Sequence, residues 1–151
     1  MRKITKIIIH CAATPPDMDI GAEEIRRWHT EGNGWSDIGY HYVIRRDGTV
    51  EPGRPVAKQG AHCAARNGNV ASIGICMVGG VKRDGKRLVV EDNFTRPQWL
   101  ALRKLVRELQ GEFPAIDTIL GHRDLDPGKA CPSFSVRDWL IRERVREITW
   151  A

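Results

Sequence analysis

The sequence predicts an α/β domain in which a mixed central β-sheet is covered by about three α-helices. Three observations lead there. Two apolar runs, around Ile7-Ile8-Ile9 and Ile73-Gly74-Ile75, have the continuity of strands buried on both faces. Other segments carry apolar residues at helical spacing. No repeat, low-complexity tract or linker divides the 151 residues, a length suited to a single domain over 1–151 with a real core.

Taken in order, residues 4–11 read as the first strand, and Thr14-Pro15-Pro16-Asp17 breaks it. A helix is expected over 22–31. Glu23 and Glu24 suit its first turn, Ile25, Trp28 and His29 share a face, and Gly32 and Gly34 end it. Residues 40–46 and 49–51 flank Asp47-Gly48, the signal of a hairpin with a two-residue turn. Residues 53–69 lack a period and read as a surface loop with short strand pieces. Residues 72–78 form another buried strand, and Lys82-Arg83-Asp84-Gly85-Lys86 a turn. Thr95 and Gln98 match a capping box with Phe94 and Trp99 at the staple positions. Trp99, Leu102, Leu105, Val106, Leu109 and Phe113 then follow helical spacing to about residue 112. Residues 118–121 make a short strand. Ser135 and Asp138 form a second, weaker box, with Phe134 and Trp139 around it, opening a final helix over 136–147. Strand order is not readable from the pattern.

The formal charge of +5 favours anionic partners such as nucleic acid, acidic lipid or the bacterial envelope. The basic residues are dispersed, and no Lys/Arg block marks a nucleic-acid arm. No apolar run approaches membrane-spanning length. Met1-Arg2-Lys3 is charged but is not followed by the apolar stretch of a signal peptide, so synthesis in the cytoplasm is expected, with any outside target reached by another route. The four cysteines, at 11, 63, 76 and 131, form no CxxC pair, which removes the main support for zinc-ribbon and thioredoxin-like readings. Paired carboxylates, a P-loop and a dinucleotide fingerprint are likewise missing.

Chemistry concentrates in one turn-rich segment, Gly121-His122-Arg123-Asp124-Leu125-Asp126-Pro127-Gly128-Lys129-Ala130-Cys131-Pro132. An imidazole and a thiol share it, and Asp126-Pro127-Gly128 is a turn able to bring them together. His10 closes the first strand, a rigid support facing a crevice. His10, His122 and Cys131 suit zinc, which takes tetrahedral nitrogen and sulfur ligands and with three of them keeps a position for reaction. Such a zinc brings the pKa of water to roughly 7 and polarises a carbonyl, so hydrolysis of an amide or ester is the expected chemistry. Lys129 can supply positive charge to an oxyanion and Tyr40 a hydrogen-bond donor. Each of these residues alone has a plainer reading: a core histidine, a solvated lysine, a packed tyrosine. Strand alternation sets Cys11 on the face away from His10, as a small buried hydrophobe. His29 reads as packed or half-exposed, His41 as a supporting partner of a ligand, and His62 as a groove residue.

The chain resembles the zinc N-acetylmuramoyl-L-alanine amidases of the type-2 amidase and peptidoglycan-recognition-protein superfamily, and within it the lysozymes of the T-odd phages. The resemblance spans nearly the whole sequence. It is carried by Ile9-His10-Cys11-Ala12-Ala13-Thr14, Glu24-Ile25-Arg26-Arg27-Trp28-His29, Asp37-Ile38-Gly39-Tyr40-His41-Tyr42, Arg46-Asp47-Gly48-Thr49-Val50-Glu51, Ser72-Ile73-Gly74-Ile75-Cys76-Met77-Val78-Gly79-Gly80 and Lys129-Ala130-Cys131-Pro132-Ser133-Phe134. It implies an amidase fold, a Zn2+ cofactor on His10, His122 and Cys131, and catalytic roles for Tyr40 and Lys129. It also implies cleavage of the amide between N-acetylmuramic acid and the L-alanine of the stem peptide during host lysis. His41 and His62 have family counterparts, to which substrate-groove roles are assigned. Superfamily members that bind without cutting typically lack the cysteine ligand, so Cys131 points to the catalytic branch. The phage lysozymes carry a longer N-terminal segment, and the best-known type also inhibits its phage RNA polymerase partly through it; here only Met1 to Thr5 or so precede the first strand.

Three functions follow: a zinc-dependent cell-wall amidase, a muropeptide-binding module without chemistry, and a basic regulator of polymerase or nucleic acid. The intact Cys131, Tyr40 and Lys129 favour the first.

Overall fold

The computed structural model describes residues 1–143. Five strands form the central sheet in the order β3-β2-β4-β1-β7. They are β1 (Lys6–Cys11), β2 (Tyr42–Ile44), β3 (Val50–Pro52), β4 (Ser72–Met77) and β7 (Thr118–Gly121). β2, β4, β1 and β7 run parallel, and β3 is an antiparallel edge, so the sheet is mixed as expected. Both central strands, β1 and β4, are buried almost end to end, which is why they read as continuous apolar runs.

The helices are α1 (Ala22–Arg27), α2 (Arg96–Glu112), the four-residue α3 (His122–Leu125) and α4 (Val136–Glu143). Expected helix over 144–147 lies outside the described residues. One face of the sheet packs Ile7, Ile9, Ile44, Ile73, Ile75 and Met77 against Leu102, Leu105, Val106 and Leu109 of α2 and Trp139 and Leu140 of α4. Burying each such side chain contributes about 1.5–3 kcal/mol. On the other face, α1 seats Ala22 and Ile25 against Val43, Cys76 and Val78.

The expected box at α2 is present: Thr95 Oγ1 accepts from Gln98 N–H at 3.2 Å, and Gln98 Oε1 accepts from Thr95 N–H at 3.0 Å. The staple rings of Phe94 and Trp99 meet edge to face at 5.5 Å. At α4, Ser135 Oγ accepts from Asp138 N–H at 3.1 Å.

Four local expectations need correction. The β2–β3 hairpin closes over three residues, Arg46-Asp47-Gly48, rather than two. Arg45 N–H pairs with Thr49 O, Gly48 N–H returns to Arg45 O, and Gly48 takes φ +89°, the left-handed geometry of a type I turn plus bulge. The basic segment expected to be a turn instead contributes strands β5 (Val81–Asp84) and β6 (Arg87–Val90), a separate antiparallel ribbon turning at Gly85-Lys86. Residues 53–69 hold a 3₁₀ turn, Ala65–Asn67, and no strand beyond β3. The helix expected to run to 31 ends at Arg27 and widens into a π turn, Trp28–Gly32.

Candidate metal centre

Parallel strands end together at one edge of the sheet, and that edge gathers the chemistry. His10 is the penultimate residue of β1. His122 follows β7 directly as the first residue of α3, and Cys131 sits on the turn between α3 and α4. That turn is held back on itself, because Arg123 N–H bonds Cys131 O at 2.8 Å. One potential ligand atom from each of His10, His122 and Cys131 lies within 4.8 Å of the others. The Cys131 sulfur is 3.7 Å from His10 Nδ1, and the rings of His10 and His122 meet edge to face at 4.8 Å. Two imidazoles and one thiol are a donor set that fits zinc, and the three residues expected from the sequence are those the fold brings together.

The electrostatics suit metal ligands. Burial, followed by the neighbouring His62 and His122, holds the His10 pKa well below the usual imidazole range. Burial lowers His122 too; the Lys129 ammonium adds to this, against the opposing Asp126 carboxylate. The His122 ring therefore feels Lys129, although that lysine is exposed. The adjacent Cys11 thiol, then burial, push the Cys131 pKa up and favour its protonated form. Metal uptake must displace that proton.

Tyr40 stands just before β2, its ring 5.1 Å from that of His10. The residue is partly exposed, but burial of its hydroxyl end and the cysteines around it push its pKa well above that of a free phenol. It is therefore a neutral donor, in contact with the Cys76 thiol. The π turn after α1 explains its placement. That turn presents His29 Nδ1 to Gly39 N–H at 2.9 Å, and the His29 ring packs 5.5 Å from Tyr40 and 4.8 Å from Trp35.

Several residues were read differently from the sequence. His62 does not line a groove; it is buried behind His10, its Nδ1 2.8 Å from His10 Nε2. His41 reaches no ligand directly. Its Nδ1 accepts from Gly74 N–H and its Nε2 donates to Lys58 O, so it fastens the 53–69 loop to β4. Cys11 is nearer the centre than strand alternation implies: its backbone N–H donates to the Cys131 sulfur at 3.2 Å, and its thiol lies 3.5 Å from Ser133 Oγ. As the last residue of β1 it is wrapped by the 131–133 turn, which touches both sides of the strand end. Asp126 was not singled out, yet its Oδ2 lies 3.9 Å from His122 Nε2; the i, i+4 spacing was the available signal.

Comparison with known proteins agrees with this arrangement. A family model described as N-acetylmuramoyl-L-alanine amidase matches residues 1–134. An endolysin of Enterobacteria phage K11 is 44% identical over 139 residues, covering 92% of this chain and 87% of that protein. The endolysin of Escherichia phage T7 is 44% identical over 133 residues, covering 88% and 83%. Among solved structures, the N-acetylmuramoyl-L-alanine amidase LysC from Clostridium intestinale superposes with a TM-score of 0.77 at 27% identity, over 96% of this chain and 88% of that one. Bumblebee PGRP-SA shares the fold, with a TM-score of 0.75 at 23% identity, over 100% and 87%.

Proposed function

The chain belongs to the N-acetylmuramoyl-L-alanine amidase family, and from that premise we propose that it is a zinc-dependent phage endolysin whose metal sits on His10, His122 and Cys131. It hydrolyses peptidoglycan at the amide joining N-acetylmuramic acid to L-alanine. Synthesis in the host cytoplasm and action on the wall after release complete the reading. Among the described residues no helix is long and apolar enough to cross a membrane.

The observation that carries the site assignment is the convergence of three donors from residues 10, 122 and 131 to within 4.8 Å of one another, with the Tyr40 ring alongside. A zinc ion held there supplies Lewis acidity, acidifying a water and polarising the scissile carbonyl. The chain's own groups supply the rest. Tyr40, kept neutral by burial, donates a hydrogen bond to charge developing on the carbonyl oxygen. Lys129 adds a positive charge that is felt at His122, and its proposed role is to pass a proton toward the departing amine. His29 holds the Tyr40 loop through Gly39.

The test is digestion of purified sacculi. The zinc-loaded chain should release new L-alanine amino termini and no new reducing sugar ends. A strong chelator should stop the release and added zinc restore it. Absence of those termini with zinc bound would overturn the reading. Sacculi that are bound but chemically unchanged would instead identify a recognition module.

A further inference from the structure

Behind His10 runs a chain of hydrogen bonds whose direction can be read from its far end. Ser72 Oγ lies 2.6 Å from Gly68 O, and a carbonyl only accepts, so the Ser72 hydroxyl proton points there. Ser72 Oγ is also 3.3 Å from His62 Nε2. Its proton being engaged, the oxygen can only accept, and His62 must carry a proton on Nε2. A neutral His62 then has a lone pair on Nδ1, the atom 2.8 Å from His10 Nε2. His10 must therefore donate from Nε2, which leaves the lone pair of a neutral His10 on Nδ1. Nδ1 is the atom 3.7 Å from the Cys131 sulfur.

We infer that His62 and Ser72 are positioning residues that fix the His10 tautomer, keeping Nδ1 unprotonated and aimed at the metal before any metal arrives. The inference rests on the zinc reading above. Without such a partner a neutral imidazole divides its proton between two nitrogens, and the fraction protonated on Nδ1 cannot bind. The packing is shaped for the task. A Cβ on Gly74 would meet the His62 ring at 2.5 Å, so the absence of a side chain in mid-strand creates the slot in which the ring lies. On the same face of β4, Ser72 provides the acceptor two residues earlier and Cys76 meets Tyr40 two residues later.

Nitrogen-15 NMR on the full-length, metal-free chain with labelled histidine reads the tautomer directly. His10 should show its proton on Nε2. Ser72→Ala, which frees the His62 proton to move, should give His10 a mixture of the two forms. Zinc titration against a chromophoric chelator gives the second readout. His62→Leu should weaken zinc about 10- to 100-fold, and Ser72→Ala by less. His62→Gln, whose amide oxygen can accept from His10, should recover most of the loss. A proton on His10 Nδ1 in the parent chain would overturn the inference whatever the variants do. So would zinc affinities in folded His62→Leu and Ser72→Ala that match the parent. A parent chain that takes up no zinc would remove the metal reading itself, while the NMR result would still decide the tautomer.

Discussion

The two faces of the central sheet are built from alternate residues of the same strands, yet they obey different rules. β1 and β4 turn Ile7, Ile9, Ile73, Ile75 and Met77 toward α2 and α4, and the alternate positions carry His10, Ser72, Gly74 and Cys76. On the face covered by α2 and α4, called the helix-covered face below, the governing quantity is volume. The most fully buried polar side chain there is paired: Gln98 on α2 is fully buried, and its amide reaches Ile44 O, Val78 O and Thr95 N–H. The other face has its own apolar patch under α1, around Val43, Cys76 and Val78, but beside it, around His10, the governing quantity is where protons sit and which way donors point. Gly74 there gives up packing altogether to make room for a histidine ring. Substitutions on the first face should therefore cost stability and spare chemistry, and substitutions on the second should do the reverse.

The largest effect should come from Cys131→Ser. Removing the thiol should weaken zinc by more than about 100-fold, beyond the range for residues that only support a ligand, and sacculus digestion should fall with it. Thermal unfolding of the metal-free chain should move little, because the side chain is partly exposed and a serine hydroxyl can still accept from the Cys11 N–H. A large loss of metal-free stability would break the division between the faces.

Ile9→Ala makes the opposite test one residue from His10. Ile9 is fully buried on the helix-covered side. Its truncation should cost about 2–5 kcal/mol in denaturant unfolding. Zinc affinity of the folded protein should stay within about twofold of the parent. A loss of zinc as deep as that from Cys131→Ser would show that the faces are not independent.

Acid should loosen the site face selectively. Burial, with the charges of Arg2 and Arg54 and against the bond to Lys58 O, lowers the His41 pKa to about 4. The unfolded chain binds that proton near the ordinary value of roughly 6.5. Between these values the unfolded state holds more protons, so stability is full above about 6.5, declines as pH falls, and levels off below about 4. At about 1.4 kcal/mol per unit the His41 share is at most about 3.5 kcal/mol. Urea unfolding of the metal-free chain at pH 7 and 4.5 should show the loss, and His41→Gln should reduce it. Equal losses in both proteins would assign the acid sensitivity elsewhere.

The same division explains what could be read in advance. Apolar runs fixed by volume rules announce themselves, so β1, β4 and β7 and the capped α2 were legible from residue type and spacing. His10, His122 and Cys131 were legible as a ligand set because residue chemistry and loop position agree, whereas Tyr40 and Lys129 drew most of their weight from resemblance. The role of His62 was hidden, since it lies in an aperiodic segment and depends on a pairing 52 residues away. β5 and β6 were hidden for the opposite reason: most of their side chains face solvent, so no alternation of apolar and polar residues marks them. The widened turn after α1 depends on tertiary contacts with Gly39 and Tyr40 that no local pattern encodes.

The smallest effect should arise where the helix-covered face uses polar chemistry purely for structure. Thr95 Oγ1 accepts from Gln98 N–H and donates to Arg46 O at 2.6 Å, tying the start of α2 to the β2–β3 turn. Thr95→Ala removes both bonds while leaving Gln98 free to hold Ile44 O and Val78 O. The expected cost is about 1 kcal/mol, and Thr95→Ser, which keeps the hydroxyl, should recover most of it. Zinc affinity and the rate of sacculus digestion should be unchanged in both variants. The cap lies on the far side of the sheet from His10, and the strands between them are held by packing that neither variant alters. A change in zinc affinity from Thr95→Ala would mean that the sheet transmits strain from one face to the other, and the two sets of rules would have to be merged.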